Sequence, residues 1–390
     1  MEHKIYMSEK EKVLLIDTCE PNEYSIEYAN RCRQYTDGTV IRKYYTTDAQ
    51  SIPIFYKFSE KMKPGYFRLA IRLIEYIISY FHIYRMVCKN NYDVVHIQWP
   101  QVLWFDKFIF KKIKNKCKKL VYTAHDPIPH ESTEKKIKQF GELYKIPDII
   151  IVHGKACEEQ FIANYPNLVD KLYNQKFGVT PSNETEKINN SLIDKHPKLK
   201  EILETKKIVF AFLGQISPYK GLDILLDAWE EFKDREDVFL LVAGKTTNNY
   251  KDLENSFNKA TTYSNIYIFN NRYTLEEEVL FHKLSDVIVI PYRSASMSAV
   301  LTSAAQYNKT VLTTKVGSIT EYIEVAKDFV FTCECTKDSI KEKISNIIYN
   351  FSKESLSEKG KNFSKIIQDE YNWDNIFQDV VINCYSIDKQ

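Results

Sequence analysis

Short, unbroken apolar runs alternate with longer stretches of helical periodicity along most of the chain. In the first half, "KVLLID" from Lys12, "YDVVHI" from Tyr92, "KLVYTA" from Lys119 and "PDIIIV" from Pro147 are β-rich and continuous, the pattern of strands covered on both faces. Segments of helical length lie between them. A polar stretch from about Asn174 to Lys207 carries two prolines, many charges and few large apolar residues, the composition of a connection between domains. The alternation then restarts. "IVFAFL" (Ile208–Leu213), "VFLLVAG" ending on Gly244, "IYIF" from Ile266, "DVIVI", "TVLTT" and "DFVF" read as strands. "GLDILLDAWEEF" places Leu222, Leu225, Leu226, Trp229 and Phe232 on one helical face, and Thr274 with Glu277 has the sequence of a capping box. Strands alternating with helices predict an α/β fold of two tandem Rossmann-like, doubly wound parallel-sheet domains, over residues 1–175 and 176–370. Open parallel sheets bind ligands outside the carboxyl ends of their strands. Two such sheets facing across a cleft direct attention to the residues just after each strand.

Bulk properties narrow the picture. A chain of 390 residues exceeds the size at which single cores usually stop growing, which supports two domains. Apolar residues make up 44% and charged residues 27%, and a net charge of +2 argues against wholesale nucleic-acid binding. The start, "MEHKIYMSEKEKVLLID", lacks the apolar core of a signal peptide, so the expected location is the cytoplasm. The eight cysteines are scattered, and the close pair "CEC" lacks the second half of a zinc pattern. The segment "LAIRLIEYIISYFHIYRMV" from Leu69 is interrupted by Arg72, Glu75, His82 and Arg85, which reads as an amphipathic or core helix and not a bilayer span.

Two strand ends in the second half carry candidate chemistry. "GQISPYKG", Gly214–Gly221, follows a strand with a glycine that lets backbone approach a ligand. Lys220 stands just before a helix whose amino-terminal amides favour phosphate. The alternative is a solvated lysine, with Gly221 serving only the turn. "PYRSASMSAVLTSAAQYNKT", from Pro291, offers hydroxyls and no carboxylate. Ser298 is a plausible N-cap, which would leave the amides of Ala299 and Val300 as free donors. An ordinary serine-capped helix is the competing reading. Two such helix starts at one sheet's carboxyl end favour an anion site.

These segments, with "FLGQISPYKGLDILLDAW", "FLLVAGK" and "NRYTLEEEVLFHKLSDVIVIPYRSASMSAVLTSAAQYNKTVLTTKVGSITEYI", resemble the donor-binding domain of family 4 glycosyltransferases with the GT-B fold, the glycosyl transferases group 1 type. "YDVVHIQWP", "LVYTAHDPIPHE", "IIIVHG" and the closing "YNWDNIFQDVVINCY" match in order across the rest of the chain. The resemblance implies an acceptor-binding first domain and a donor-binding second domain. It also implies a terminal helix over 371–390 that crosses back to the first. A nucleotide-diphosphate sugar would be the co-substrate, with its diphosphate on Gly214, Gln215, Lys220, Ser296, Ser298, Ala299 and Val300, and no further cofactor. No His or Cys spacing matches a metal site, and a diphosphate held by lysine and amides needs no cation. His125 and Asp126, just after "KLVYTA", would line the reaction centre, whereas His96 and His153 read as structural.

The departures are equally specific. Many members of the family carry a Glu-x7-Glu pattern that contacts the sugar and the ribose, and those positions are Ala295 and Ser303 here. Gln215 stands where an arginine often does. An exopolysaccharide-assembly branch shows similar substitutions, although Ala299 replaces its glycine and Ser217 a frequent arginine. The expected activity is therefore transfer of a sugar to a glycan or lipid-linked glycan, with retention of configuration, in surface polysaccharide or glycan assembly. The alternative is a catalytically silent glycosyltransferase-like subunit that binds a partner enzyme or glycan. Finally, "KFIFKKIKNKCKKL", Lys107–Leu120, holds seven lysines and no acid. It predicts either peripheral contact with anionic membrane lipids or a solvated helix face.

Overall fold

A computed structural model of the chain describes residues 10–18, 23–44, 46, 48–128, 133–180, 190–203, 207–247, 250, 253–295 and 298–387. The chain divides into two compact units, Met1–Gly178 with Trp373–Gln390, and Val179–Asn372. Each is built on one parallel sheet flanked by helices, the two-domain α/β architecture expected from the alternating pattern.

In unit 1 the strands are β1 (Lys12–Asp17), β2 (Asp37–Lys43), β3 (Ile52–Phe55), β4 (Val94–Gln98), β5 (Lys119–Thr123), β6 (Ile149–His153) and β7 (Leu172–Gln175), in the order β3-β2-β1-β4-β5-β6-β7. Strand order reverses between β1 and β4, which makes their carboxyl ends a topological switch point. Successive side chains of a strand face opposite sides of the sheet. Leu14 and Ile16 accordingly join a core with the helices α2 (Tyr66–Asn90) and α3 (Leu103–Lys114). Val13 and Leu15 join another with α1 (Glu23–Tyr35) and the closing helix Trp373–Val380. In that second core Trp373 packs on Tyr24 at 5.3 Å between ring centroids, and Phe377 on Tyr28 at 5.0 Å.

Three strands of this sheet escape the hydrophobic pattern. β2 ends in Arg42 and Lys43, both buried, with Arg42 set 3.9 Å from Asp17 and 3.7 Å from Asp48. Paired charges inside a strand break the apolar run that would reveal it. β3 and β7, four residues each, lie at the sheet edges with little apolar alternation. Residues 174 and 175 of the polar connection therefore belong to β7, and Asn190–Lys195 and Pro197–Leu203 form short helices. Residues 181–189 and 204–206 of that stretch lie outside the described residues.

Unit 2 contains β8 (Ile208–Leu213), β9 (Val238–Ala243), β10 (Ile266–Phe269), β11 (Val287–Ile290), β12 (Thr310–Thr314) and β13 (Val330–Cys333), ordered β10-β9-β8-β11-β12-β13. The switch point falls between β8 and β11. After these two strands come the helices α4 (Leu222–Trp229) and, following α5 (Leu275–Leu284), α6 (Ala299–Gln306). α4 buries Leu222, Leu225, Leu226 and Trp229 against the sheet, and Thr274 with Glu277 closes a reciprocal capping box at the start of α5.

Candidate functional site

At the end of β8 the chain turns through Gly214, whose φ of +98° is a conformation that glycine adopts freely. A side chain built there would meet Lys220 Nζ and Val300 Cγ2, each at 3.1 Å. Lysine tip and helix start therefore converge over one stretch of bare backbone. Gly221, at φ +69°, lies so close to the Pro291 carbonyl that any side chain would collide with it. That contact ties the Lys220 turn to the loop leading into α6. Arg293 tightens the same junction: it makes a two-pronged pair with Asp223 (2.9 and 2.6 Å) and donates to the Pro218 carbonyl at 2.6 Å. Arg293 gives no local signal within "PYRSAS", because its partner Asp223 lies 70 residues away in sequence.

Lys220 is buried, and burial lowers its ammonium to about 8. Its Nζ sits 5.4 Å from the ring centre of Tyr292 and 6.0 Å from that of Tyr219. Among the described residues no carboxylate or other acceptor takes it. A buried cation supported by ring faces alone is an incomplete ion pair. Beside it, Ser217 has a buried hydroxyl with no partner among the described residues. Ser298 caps α6 by accepting from the Leu301 N–H at 3.3 Å, and the N–H groups of Ala299 and Val300 have no acceptor among the described residues. Gln215 is exposed at the rim, and Ser296 lies outside the described residues.

One carboxylate approaches this group from an unexpected direction. Ser303 Oγ donates to Glu278 Oε1, on α5, at 3.4 Å. Burial raises the Glu278 carboxyl, with the Ser303 bond opposing it, and no cation pairs with it among the described residues. Tyr273 is raised by burial and then by the Glu278 charge, and its phenol interacts with the Gly214 backbone. Glu278 is 25 residues from Ser303 in sequence, so no local motif reveals the pair.

In unit 1, His125 follows β5, half-buried, with Asp126 exposed next to it. Its imidazole stacks on Trp99 at 3.9 Å with 3° between ring planes, and its Nε2 is 3.2 Å from Gln98 Oε1. Trp99 itself has φ +58°, a costly conformation for so large a residue, and its carbonyl accepts from Thr18 Oγ1 at 2.7 Å. Around His125 lie Gln98 Nε2 and Trp99 Nε1, buried with no partner among the described residues, and the polar atoms of Tyr24, His153 and Gln175, which approach one another without a full side-chain hydrogen bond. Buried polar groups are nearly always bonded, so this concentration at the carboxyl ends of β4 to β7 marks a place shaped for hydrogen-bonding groups. His153 thus belongs with His125, their rings 5.1 Å apart. His96 differs, with Nδ1 bonded to Tyr385 OH at 2.6 Å and Nε2 to Thr123 Oγ1 at 2.7 Å.

Burial holds four histidines neutral: His96 is lowered to about 3, His153 and His282 to about 4, and His125 well below its ordinary value. The unfolded chain takes up these protons near pH 6.5, so it binds more protons than the folded state between there and pH 4. Their neutral burial favours the fold fully above pH 6.5, and that stability is lost as pH falls. Denaturant titrations from pH 7 to pH 5 will show decreasing stability. His282→Gln will flatten the acid slope by about 1.4 kcal/mol per pH unit.

Tandem Rossmann-like units of this kind are the GT-B fold of glycosyltransferases, and solved structures agree. Anabaena HepE in complex with UDP and glucose matches 97% of this chain and 100% of its own, at a TM-score of 0.71 and 15% identity. Sucrose-phosphate synthase from Thermosynechococcus elongatus matches 95% of this chain and 97% of its own, at 0.67 and 12%. Residues 194–363 match the family model of glycosyl transferases group 1, so the chain carries a glycosyltransferase domain of that group. An uncharacterized glycosyltransferase of Methanocaldococcus jannaschii is 27% identical over 246 residues, 59% of this chain and 65% of that protein. The lipopolysaccharide 1,2-N-acetylglucosaminetransferase of Salmonella typhimurium is 23% identical over 178 residues, 44% of this chain and 46% of that enzyme.

Proposed function

We propose that the protein transfers a sugar from a nucleotide-diphosphate sugar to a hydroxyl of a glycan or lipid-linked glycan, with retention of configuration, in surface polysaccharide or glycan assembly. The observation that carries this reading is the buried, acid-free Lys220 ammonium converging with Val300 over Gly214, next to the open amides of Ala299 and Val300. A diphosphate supplies the missing negative charge. The HepE structures in complex with UDP and UDP-glucose support a nucleotide-sugar donor, and the Salmonella relative supports a glycan acceptor.

In this reading unit 1 is the acceptor-binding domain and unit 2 the donor-binding domain. The bond from the anomeric carbon to the diphosphate oxygen breaks as the acceptor oxygen bonds that carbon from the same face, and the acceptor's hydroxyl proton passes to the departing diphosphate oxygen. Lys220 and the α6 amides neutralise the departing charge without a metal, and electrostatic stabilisation of the leaving group carries most of the rate. His125, kept neutral by burial, meets a hydroxyl of the reacting sugar, and Asp126 lines the same centre. Ser303 and Glu278 together take the ribose hydroxyls, so that a carboxylate from α5 serves where Ser303 alone would bond weakly.

A panel of UDP, GDP and ADP sugars and their free diphosphates in a thermal-shift assay tests the reading. One nucleotide class should raise the unfolding temperature, and a folded protein that responds to none would overturn it. Glu278→Gln should weaken the responding diphosphate about tenfold, the difference between a charged and a neutral hydrogen bond. A 2′,3′-dideoxy nucleotide should lose the same factor on the wild type and nothing further on the variant. Additive losses would remove Glu278 from the ribose site.

A further inference from the structure

We propose that the outer face of α2, with Trp104 and Phe108 of α3, docks into the interfacial layer of an anionic phospholipid bilayer. α2 is apolar on two opposite sides. Tyr76, Tyr80, Ile83 and Val87 recur at helical spacing and are buried in unit 1. Phe67, Ile74, Ile78 and Phe81 recur at the same spacing on the far side and are 72%, 52%, 62% and 47% exposed. With one apolar side buried in unit 1, the second apolar side of α2 is left facing outward, as on a helix that lies in a membrane interface. The second line continues onto α3: Phe81, Trp104 and Phe108 each pack on Phe105, with ring centroids 6.2, 5.8 and 6.3 Å away, while Trp104 and Phe108 stay 64% and 47% exposed. This is a contiguous apolar patch, not scattered surface residues.

Charge selects the occupant. Residues 57–119 hold fourteen Lys and Arg against four Asp and Glu, a net +10, whereas the whole chain is only +2. The lysine run Lys107–Leu120 contributes unevenly. Lys114 pairs with Asp148, Lys118 with Asp93, and Lys119 donates to the Ser386 carbonyl. Lys112 lies over the Phe108 ring at 5.8 Å, and neither it nor Lys116 has a carboxylate partner among the described residues. Arg85 and Lys89 prolong the apolar line of α2 with cations, the arrangement of a helix lying in the plane of a negatively charged interface. A second copy joined through the same face would set the cations of that face, Arg85, Lys89, Lys112 and Lys116, against a like set. No helix among the described residues is long and apolar enough to cross a membrane, and the buried inner face of α2 fixes it to unit 1, so the contact is interfacial.

Cosedimentation of the full chain with vesicles tests this. Vesicles of equal parts phosphatidylglycerol and phosphatidylcholine should bind the protein about tenfold more tightly than pure phosphatidylcholine, with loss of binding in high salt. Ile74→Glu combined with Ile78→Glu should reduce binding at least about tenfold, because both side chains enter the apolar layer. Both positions are exposed, so the unfolding temperature should not change. Lys112→Glu combined with Lys116→Glu should remove the preference for anionic vesicles. The proposal fails if the wild type ignores anionic vesicles or if the double glutamate variant binds them equally. It also fails if the wild type is a dimer without lipid affinity that the glutamates convert to monomer.

Discussion

Lys220→Met will abolish measurable binding of the nucleoside diphosphate and lower kcat/KM by about a hundredfold to a thousandfold, the usual loss when one preorganised charge donor is removed. Methionine keeps the stem against Tyr219 and Tyr292 and removes only the charge. The same change will leave the ligand-free protein equally or more stable. A lysine held at about 8 in the fold and near 10.5 in the unfolded chain opposes folding wherever it is charged, by about 3 kcal/mol at neutral pH. Stability therefore rises while function is lost. Wild-type affinity should also weaken above pH 8, as the ammonium deprotonates. Calorimetric titration of the diphosphate from pH 6.5 to 9 checks both. A variant that binds as tightly as the wild type would remove Lys220 from the site.

His125→Phe will lower turnover about a hundredfold while leaving diphosphate affinity unchanged, a split consistent with an interaction made near the reacting sugar. Phenylalanine preserves the stack on Trp99, at 3.9 Å in the wild type, and removes both nitrogens. The loss therefore reports hydrogen bonding and not packing. The Gln98 contact to Nε2 orients the ring, so Gln98→Leu should produce a smaller loss of turnover with the same unchanged affinity. Steady-state kinetics beside the binding titration separate the two quantities. Equal loss of both would place His125 in the support of the fold.

Where the chain is uniformly apolar, the residues revealed their own structure. β8, β9 and β11 lie where continuous runs predict them, because strands covered on both faces need no polar alternation. Gly214, Lys220 and Val300 were legible as separate strand-end candidates, and the fold brings them within contact. Three kinds of information were not legible. β2 conceals itself behind Arg42 and Lys43, whose charges are paired by residues from other segments. Glu278 meets Ser303 across two helices and 25 residues of sequence, so no local pattern reveals a carboxylate beside that position. In the segment from Leu69, sequence periodicity does not distinguish the buried line of Tyr76 and Tyr80 from the exposed line of Ile74 and Ile78. His153 shows the same limit, since the hydrogen bonding of a buried ring among the described residues is a property of its neighbours.

Nucleoside diphosphate release tests the central claim most directly. The full chain would be incubated with the nucleotide sugar that stabilises it, with and without a glycan acceptor, and compared with Lys220→Met. Slow release alone, strong acceleration by acceptor, and neither in the variant is the predicted result. Tight binding of the sugar nucleotide with no release under any acceptor would contradict it and favour a silent, sugar-nucleotide-binding subunit.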